Sequence, residues 1–313
     1  MPYARVAAVT GANKGIGLAI VRNLALTYPS SPLNTGPLLI YVTARDKTRG
    51  EAALSSLLTD PLLIRSNVLS ASGGGPVDIT YHPLDISDRS SIQRFTSTLR
   101  SRHGERGLDV LVNNAGVALD GFDDRVVRAT LAVNYEGTLD LTLSLLPMLK
   151  AAPSSRVVNV ASMMGALDRY SEPLRRRFRE AAEAGARETP SSAAADMTVI
   201  MHAFEEGVRM STHSALGFPS SAYAVSKAGV IGATRALGLA LQNQQNAQHE
   251  PAPLVVCCCP GYVDTDMTKH NGTKTPDEGA RTPVWLALAD ARELGGAEAA
   301  QGRFFKDEVM EEW

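Results

Sequence analysis

Tyr223 and Lys227 are the two residues whose types and spacing best suit proton transfer. They lie four positions apart at the start of a proline-free segment rich in Ala, Leu and Val, residues 224–241, which predicts a helix. Residues four apart share one helix face. A free tyrosine has a pKa of about 10, and an ammonium group beside the phenol lowers that pKa. The pair is a candidate general acid and base, although the same spacing also occurs on solvated helix faces.

Two further polar residues are candidates to join this pair. Residues 156–162 are β-branched and then small, which predicts a strand with Ser162 at its carboxyl end, where ligands bind in open α/β sheets. Asn134 lies inside an apolar segment that predicts a helix over residues 129–149. A buried amide without hydrogen-bond partners costs free energy, so the position of Asn134 needs a structural or functional explanation.

A glycine-rich turn near the start of the chain has the setting of a dinucleotide site. Residues 6–10 form a short apolar run of strand type, and residues 18–26 have helical apolar spacing. Between them lie three glycines, Gly11, Gly15 and Gly17. Glycines permit a tight turn and let backbone N–H groups approach a pyrophosphate at the helix N-terminus. The spacing differs from the commoner Gly-x-Gly-x-x-Gly pattern, and a plain strand-to-helix turn is the alternative explanation.

Charges near the end of the second predicted strand, residues 38–43, indicate which dinucleotide binds. An acid at this place accepts hydrogen bonds from the adenosine ribose, whereas an arginine binds a 2′-phosphate. Arg45 comes first after the strand, and Lys14 lies in the glycine turn, so two cations would flank that phosphate. The sequence therefore predicts NADP(H). Asp46 would instead be a ribose ligand if the strand ended one residue later.

The next two strands also end in polar or small residues. The third, predicted over residues 77–86, ends near Asp85, which would bind the adenine amine or cap the following helix. The fourth, residues 108–112, runs into Asn113, Asn114, Ala115 and Gly116, a turn that can line a cofactor. With a further strand at residues 254–259, the strand-then-helix order predicts one α/β domain, residues 1–313, with a doubly wound parallel sheet of Rossmann type.

The composition limits the partners and the location that can be expected for this protein. The chain is 44% hydrophobic and carries a net charge of −2, which gives no reason to expect nucleic acid or an anionic membrane surface as partners. The three cysteines, residues 257–259, are adjacent and cannot form a disulfide framework. With an N-terminus that lacks a signal-type apolar core, they predict a cytoplasmic location. No apolar run approaches the roughly 20 residues of a membrane span, and no residues have metal-ligand spacing.

Jointly, these motifs resemble the short-chain dehydrogenase/reductases in order and setting over nearly the whole chain. The residues that carry the resemblance are 10–17, 113–116, 134, 162, 223–227 and 260–261. Within the family, the chain is most similar to the monomeric NADPH-dependent carbonyl reductases. The segments that carry this second resemblance are 15–22, 43–46, 219–223, 258–267, 276–280 and the tryptophan at 313.

The resemblance implies a role for each candidate residue. Tyr223 would donate the proton in reduction, and Lys227 would lower its pKa and hold the nicotinamide ribose. Ser162 would hydrogen-bond the substrate oxygen, and Asn134 would anchor a water in a proton relay. The residues implied to bind the cofactor are Gly11, Asn13, Lys14, Gly15, Ile16, Gly17, Arg45, Asp85, Ile86, Asn114, Ala115, Gly116, Tyr223, Lys227, Pro260, Gly261, Val263 and Thr265.

The number of residues between Ser162 and Tyr223 is the clearest sign of the resemblance to carbonyl reductases. They are 61 residues apart, far more than in most family members, so an insertion covers about residues 165–218. It contains two charged, helix-like stretches, residues 174–186 and 197–210. In carbonyl reductases such a segment covers the surface that other members use for dimerisation, which implies a monomer. A lid or a partly ordered loop is the alternative.

These observations predict NADPH-dependent reduction of a ketone, aldehyde or quinone to the alcohol or hydroquinone. The substrate would be a bulky, apolar small molecule bound between Met163, Met164, the insertion and residues 262–274. Oxidation of a secondary alcohol with NAD(P), and a non-catalytic dinucleotide sensor, are the alternatives. Cys259 is interpreted as a small buried residue in a strand, with a reactive thiol at the substrate pocket as the other possibility.

Overall fold

The computed structural model describes residues 3–105 and 107–313, and these form one eight-stranded sheet. The strands are β1 (Arg5–Val9), β2 (Leu38–Ala44), β3 (Val77–Pro83), β4 (Val110–Asn113), β5 (Arg156–Val160), β6 (Leu254–Cys259), β7 (Phe304–Lys306) and β8 (Val309–Glu311). Their spatial order is β3-β2-β1-β4-β5-β6-β7-β8. All neighbours pair in parallel except β7 and β8, which are antiparallel. The predicted doubly wound parallel sheet is confirmed.

Helices cover both faces of this sheet. They are α1 (Gly15–Thr27), α2 (Lys47–Leu58), α3 (Pro61–Arg65), α4 (Ser70–Gly73), α5 (Arg89–His103), α6 (Asp124–Leu131), α7 (Thr138–Leu145), α8 (Glu172–Ala184), α9 (Ala195–Arg209), α10 (Ala222–Gln248), α11 (Pro276–Leu288) and α12 (Ala297–Ala300). Alternate residues of β1 show the two layers. Ala7 and Val9 pack on the side that contains α1 and α11, and Val6 and Ala8 on the side that contains α5 and α7.

The strand order reverses between β1 and β4, which lie side by side although two strands separate them in the chain. In open α/β sheets, ligands bind at the carboxyl ends of the strands beside such a reversal. The turn after β1 holds the glycines, and the turn after β4 holds Asn114, Ala115 and Gly116. The fold therefore places both predicted cofactor turns at one edge.

The structure differs from the predicted elements in several places. The third strand was expected to reach residue 86 but ends at Pro83, after which Asp85 begins a turn closed by its hydrogen bonds to Ser87. The helix expected over residues 129–149 begins earlier, at Asp124, because the carboxylate of Asp123 caps it. That helix also contains a π-helical segment, Ala132–Gly137. The strands β7 and β8 were not predicted, since each is only three residues long.

The insertion is mostly helical, as predicted, and packs on α10. Its two main helices are α8 and α9. Glycines in α10 allow close contact: a methyl group added at Gly229 would lie 2.6 Å from the sulfur of Met201. One added at Gly232 would lie 2.2 Å from the terminal methyl of Met197 and 2.8 Å from the ring of Trp313. Side chains from the insertion thus fill the notches that Gly229 and Gly232 leave in the surface of α10.

Among the described residues, α10 is long and apolar enough to span a bilayer by length and composition, which the sequence reading had not anticipated. Its most apolar window of 18 residues has a mean hydropathy of 1.2, and 89% of that window is buried inside the protein. Contacts with α8, α9 and β6 account for this burial. The apolar character of α10 is therefore explained by its place in the core.

Candidate active site

The helix α10 positions the tyrosine and the lysine. Ser221 caps it by accepting a hydrogen bond from the N–H of Ala224, so Tyr223 and Lys227 fall in its first two turns. The side chain of Ser162 lies close enough to the Tyr223 hydroxyl to lower its pKa. The ammonium of Lys227 is buried, lies 5.7 Å from the centroid of the Tyr223 ring and donates to the carbonyl oxygen of Val160 at 2.7 Å. The structure thus brings these three predicted residues together.

The pKa of Tyr223 differs from the sequence-based expectation. Desolvation raises the pKa of Tyr223 to about 12, and the side chain of Ser162 acts in the opposite direction. Burial also lowers the pKa of Lys227 to about 8. In this arrangement the cost of placing a phenolate among protein atoms is the largest influence, so the pKa of the phenol lies above its ordinary value, whereas the sequence predicted a value below it.

Ser162 follows β5 and begins a short 3₁₀ helix, Met163–Gly165. Its hydroxyl oxygen accepts a hydrogen bond from the N–H of Met164 at 3.1 Å. At the other end of this turn, a methyl group added at Gly165 would lie 2.6 Å from the carbonyl carbon of Lys227. The turn therefore packs directly against α10. Because the two are in contact, the Ser162 hydroxyl after β5 and the Tyr223 hydroxyl at the start of α10 lie side by side.

Asn134 lies in the π-helical segment and is fully buried. Its amide nitrogen donates to the carbonyl oxygen of Val117 at 2.8 Å and to the hydroxyl of Ser226 at 3.0 Å. Its amide oxygen accepts from the N–H of Val117 at 2.7 Å. A methyl group added at Gly116 would lie 3.2 Å from that oxygen and 3.6 Å from Nζ of Lys227. The buried amide is thus satisfied by protein groups, and it lies near the lysine.

The glycine turn leaves room and donors for a phosphate group. Gly11 and Gly15 have φ angles of +61° and +54°, which L side chains rarely adopt. A methyl group added at Gly17 would lie 2.4 Å from both the Asn114 amide nitrogen and the Gly11 carbonyl oxygen. No side chain of the described residues caps the N-terminus of α1, and no acidic residue lies in its first turn. Its N–H groups are therefore suited to an anion.

Thr10, the last residue before this turn, ties the turn after β1 to the turn after β4. Its hydroxyl oxygen accepts hydrogen bonds from the N–H groups of Asn114 at 3.0 Å and Ala115 at 2.9 Å. The Asn114 side chain donates back to the Thr10 carbonyl oxygen at 2.9 Å. These bonds hold the two cofactor turns in fixed positions. Asn13 and Ile16 lie within the first turn, and Ile16 packs on the core.

The second and third strands place the residues expected near the adenosine. β2 ends at Ala44, and Arg45 is exposed directly after it. The carboxylate of Asp46 accepts a hydrogen bond from the N–H of Arg49 at 2.8 Å and caps α2. Because this carboxylate is used as a helix cap, the geometry favours Arg45 over Asp46 as the residue that meets the cofactor.

Asp85 lies in the turn after β3, where its carboxylate accepts hydrogen bonds from the N–H and hydroxyl of Ser87 at 2.9 and 2.6 Å. The cap of α5 is Asp88, which accepts from the N–H of Ser90. The helix-cap alternative for Asp85 is therefore wrong. The next residue, Ile86, is buried, and a methyl group added at Gly137 would lie 2.4 Å from its carbonyl oxygen.

Residues 262–274 form a segment after β6 that lies against the glycine turn. Thr265 caps a short 3₁₀ helix, Asp266–Thr268, and a methyl group added at Gly15 would lie 3.3 Å from its side-chain methyl. Lys14 pairs with the carboxylate of Asp266. In the structure, the cation predicted to bind the 2′-phosphate thus has an acidic partner within the protein, which sequence spacing did not predict because 252 positions separate the two.

Removal of the Asp266 charge should therefore tighten NADPH binding. In Asp266→Asn, Lys14 is released toward the cofactor, and we expect the dissociation constant of NADPH to fall by up to about fivefold, the limit for an exposed ion pair. Titration by cofactor fluorescence at low salt measures this. Asp264→Asn is the matched control, because Asp264 pairs with His270 and not with Lys14. An equal gain in both variants would contradict the specific competition and indicate a general charge effect.

The remaining predicted contacts follow β6. Gly261 has a φ of +89°, and its N–H approaches the sulfur of Cys259 at 3.4 Å. Pro260 is partly exposed beside it. Val263 is buried, and its carbonyl oxygen accepts a hydrogen bond from the Thr268 hydroxyl at 2.7 Å. Cys259 is 4% exposed, which favours the interpretation as a packed core residue.

Sequence reasoning missed Thr142, Asn159 and Thr234, polar residues that support the site from the side away from the cofactor turns. It also placed Asn113 in the cofactor turn, although Asn113 is the last residue of β4. The amide of Asn113 donates to the Asn159 amide oxygen and to the Thr142 hydroxyl, each at 2.8 Å, away from the cofactor turns. Asn159 in turn donates to the hydroxyl of Thr234 in α10 at 2.8 Å. This series of hydrogen bonds links β4, β5 and α10. A polar residue inside an otherwise apolar strand or helix was the available signal, the same one that identified Asn134.

Comparison with known proteins agrees with this geometry. A family model described as short chain dehydrogenase matches residues 65–173. Carbonyl reductase (NADPH) 1 from Homo sapiens is 38% identical, over 98% of this chain and 98% of its own length. Carbonyl reductase (NADPH) 3 from Rattus norvegicus is also 38% identical, over 99% of this chain and 98% of its own. The structure of salutaridine reductase from Papaver somniferum matches with a TM-score of 0.72 and 25% identity, over 97% of this chain and 99% of that one. The chain described here is therefore a member of the short-chain dehydrogenase/reductase family.

Proposed function

We propose that the chain reduces the carbonyl group of a small organic molecule with NADPH, and that Tyr223 donates the proton. The observation that carries the proposal is the meeting of two hydroxyls, Tyr223 and Ser162, above the buried ammonium of Lys227 at the carboxyl edge of the sheet. The names of the relatives, which are NADPH carbonyl reductases, support the same reaction.

The residues at this edge suit NADPH. The uncapped N-terminus of α1 offers N–H groups to the pyrophosphate. Arg45 is exposed beside the end of β2 and is suited to the 2′-phosphate. An ammonium has three N–H donors, and one of those of Lys227 goes to Val160, which leaves donors for the nicotinamide ribose. Asp85 and Ile86 are proposed to lie against the adenine, and Val263 and Thr265 near the carboxamide.

NADPH would supply the hydride that reduces the carbonyl carbon. As the C=O double bond becomes a C–O single bond, negative charge develops on the oxygen. The Ser162 hydroxyl is placed to donate a hydrogen bond to that oxygen, and the Tyr223 phenol to give it a proton, which yields the alcohol. A phenol is protonated at neutral pH, as a proton donor requires. Asn134 is proposed to anchor a water that returns a proton to Lys227. The second lone pair of its amide oxygen is available for this, since both its N–H donors bond to protein groups.

The side chains around the entrance suggest the substrate class. Four large apolar side chains are exposed on three loops at this edge: Leu119, Met164, Tyr262 and Met267. The ammonium of Lys269 pairs with Asp120 at 2.8 Å and so joins the loop of Leu119 to that of Met267. Exposed apolar side chains on loops that border a site suit an apolar ligand. A bulky, apolar ketone, aldehyde or quinone is the proposed substrate.

The test is NADPH oxidation against a panel of quinones, aromatic aldehydes and α-dicarbonyls, with NADH at equal concentration as control. We expect turnover of several panel members with NADPH and much slower turnover with NADH. Failure to oxidise NADPH with any member would contradict carbonyl reduction. Faster oxidation of secondary alcohols with NAD than reduction of carbonyls with NADPH would instead favour the oxidative alternative.

We also propose a single-domain, cytoplasmic monomer. Support comes from the insertion, about residues 165–218, whose helices α8 and α9 pack directly on α10 and so cover a face of this helix. Sedimentation equilibrium at micromolar concentration should give a mass near 33.3 kDa. A mass of twice that value would contradict the covering role of the insertion.

A further inference from the structure

Trp313 joins three parts of the molecule that surround the candidate active site. Its indole Nε1 donates a hydrogen bond to the carbonyl oxygen of Gly165 at 2.9 Å. Its ring meets Phe178 of α8 edge-on, with centroids 6.0 Å apart and planes at 87°. The same ring fills the notch at Gly232 of α10. One side chain thus contacts the insertion, the helix of Tyr223 and the turn that follows Ser162.

The bonded carbonyl group belongs to the turn that carries Ser162. This turn is closed by a hydrogen bond from the N–H of Gly165 to the Ser162 carbonyl oxygen at 2.9 Å. A second bond runs from the N–H of Met164 to the Ser162 hydroxyl oxygen at 3.1 Å. The turn is continuous with β5 at one end. At the other end, the indole N–H of Trp313 holds Gly165.

We infer that Trp313 is a positioning residue for Ser162, because its indole N–H fixes the far end of the turn and keeps the Ser162 hydroxyl beside Tyr223. This inference rests on the proposed function but assigns a role that the reaction itself does not require. The sheet supplies the rigidity: β8 precedes Trp313 and pairs with β7, which pairs with β6. The hairpin that was missed from the sequence is what brings the indole to the site.

Loss of this bond should weaken Tyr223 as a proton donor. Burial and the neighbouring Cys259 of β6 raise the pKa of the phenol, and the side chain of Ser162 lowers it. Lys227, on the same helix, is the nearby cation. If Ser162 moves away, the lowering influence is lost and the pKa of Tyr223 rises further. A donor with a higher pKa gives up its proton less readily, so kcat should fall.

The decisive variant is Trp313→Phe, which keeps an aromatic ring in the notch but removes the N–H donor. We expect kcat to fall roughly fivefold, on the order of the loss of one neutral hydrogen bond. The dissociation constant of NADPH should stay within about twofold. Hydrogen exchange of the Met164 and Gly165 amides, which close the turn, should become faster.

Phe178→Leu is the matched control, because it disturbs the packing around the indole without removing the bond. We expect it to lower the melting temperature but to leave kcat and the exchange of the two amides unchanged. Unchanged kcat and exchange in Trp313→Phe would overturn the inference, as would an equal effect in Phe178→Leu. Amide exchange does not depend on turnover, so it tests the positioning role even if the proposed reaction is wrong.

Discussion

Replacement of Tyr223 by phenylalanine should reduce NADPH-dependent turnover by about a thousandfold, within the range for loss of a positioned general acid. The ring remains in place in α10, but the proton donor beside Ser162 is gone. Steady-state kinetics with a quinone substrate from the panel measures the loss in kcat. NADPH binding, followed by fluorescence, should change little, since Lys227 and the glycine turn are untouched.

The control makes the same chemical change elsewhere in the protein. Tyr170 lies in the insertion, and its buried hydroxyl has no hydrogen-bond partner among residues 3–105 and 107–313. Tyr170→Phe should therefore keep the activity and lose no stability. If Tyr223→Phe retained full turnover, then proton donation by this phenol would be wrong, and a non-catalytic sensor or another chemistry would become the better hypothesis.

The second large effect concerns the choice of cofactor. Arg45→Gln should raise the dissociation constant of NADPH by about 10- to 100-fold, as expected when a charge-assisted pair of hydrogen bonds to a phosphate is lost. NADH, which lacks the 2′-phosphate, should bind as before. Isothermal titration with both cofactors gives the ratio directly, and the preference for NADPH should weaken as salt is added.

A neighbouring cation provides the comparison. Arg49 is exposed in the first turn of α2, and its backbone N–H is the one bonded by Asp46. Arg49→Gln removes the same charge a few residues from Arg45 and should leave the preference for NADPH within about twofold, the size of a screened surface effect. Equal losses in both variants would mean that general charge, and not a contact from Arg45, selects the cofactor.

The residues that the structure brings together as predicted share one property: their partners are local or lie at a strand end. The glycine turn could be predicted because a strand, three glycines and a helix follow each other within residues 6–26. That Ser162 would meet Tyr223 across 61 positions was implied by the family resemblance, and the parallel sheet explains it, since strand ends and helix starts share one edge. Pattern, topology and the resemblance together therefore predicted the centre of the site.

Features set by distant contacts or by competing energies could not be predicted in this way. The pairing of Lys14 with Asp266 depends on how the segment after β6 folds back over the first turn. The direction of the Tyr223 pKa shift depends on desolvation, which spacing alone does not reveal. The hydrogen bond from Trp313 to Gly165 depends on a hairpin of two three-residue strands. Each of these features could be identified only from the three-dimensional structure.

The notched surface of α10 has a consequence for any form of the protein that lacks the insertion. Glycine inside a helix costs about 1 kcal/mol relative to alanine, so Gly229 and Gly232 are tolerated only while Met201, Met197 and the indole occupy the space beside them. A version of the protein shortened between Ser162 and Ser221 would not present a flat surface ready for a second subunit. It would present a destabilised helix with unfilled space beside its glycines. A second subunit could therefore pack on α10 only after compensating changes in α10 itself.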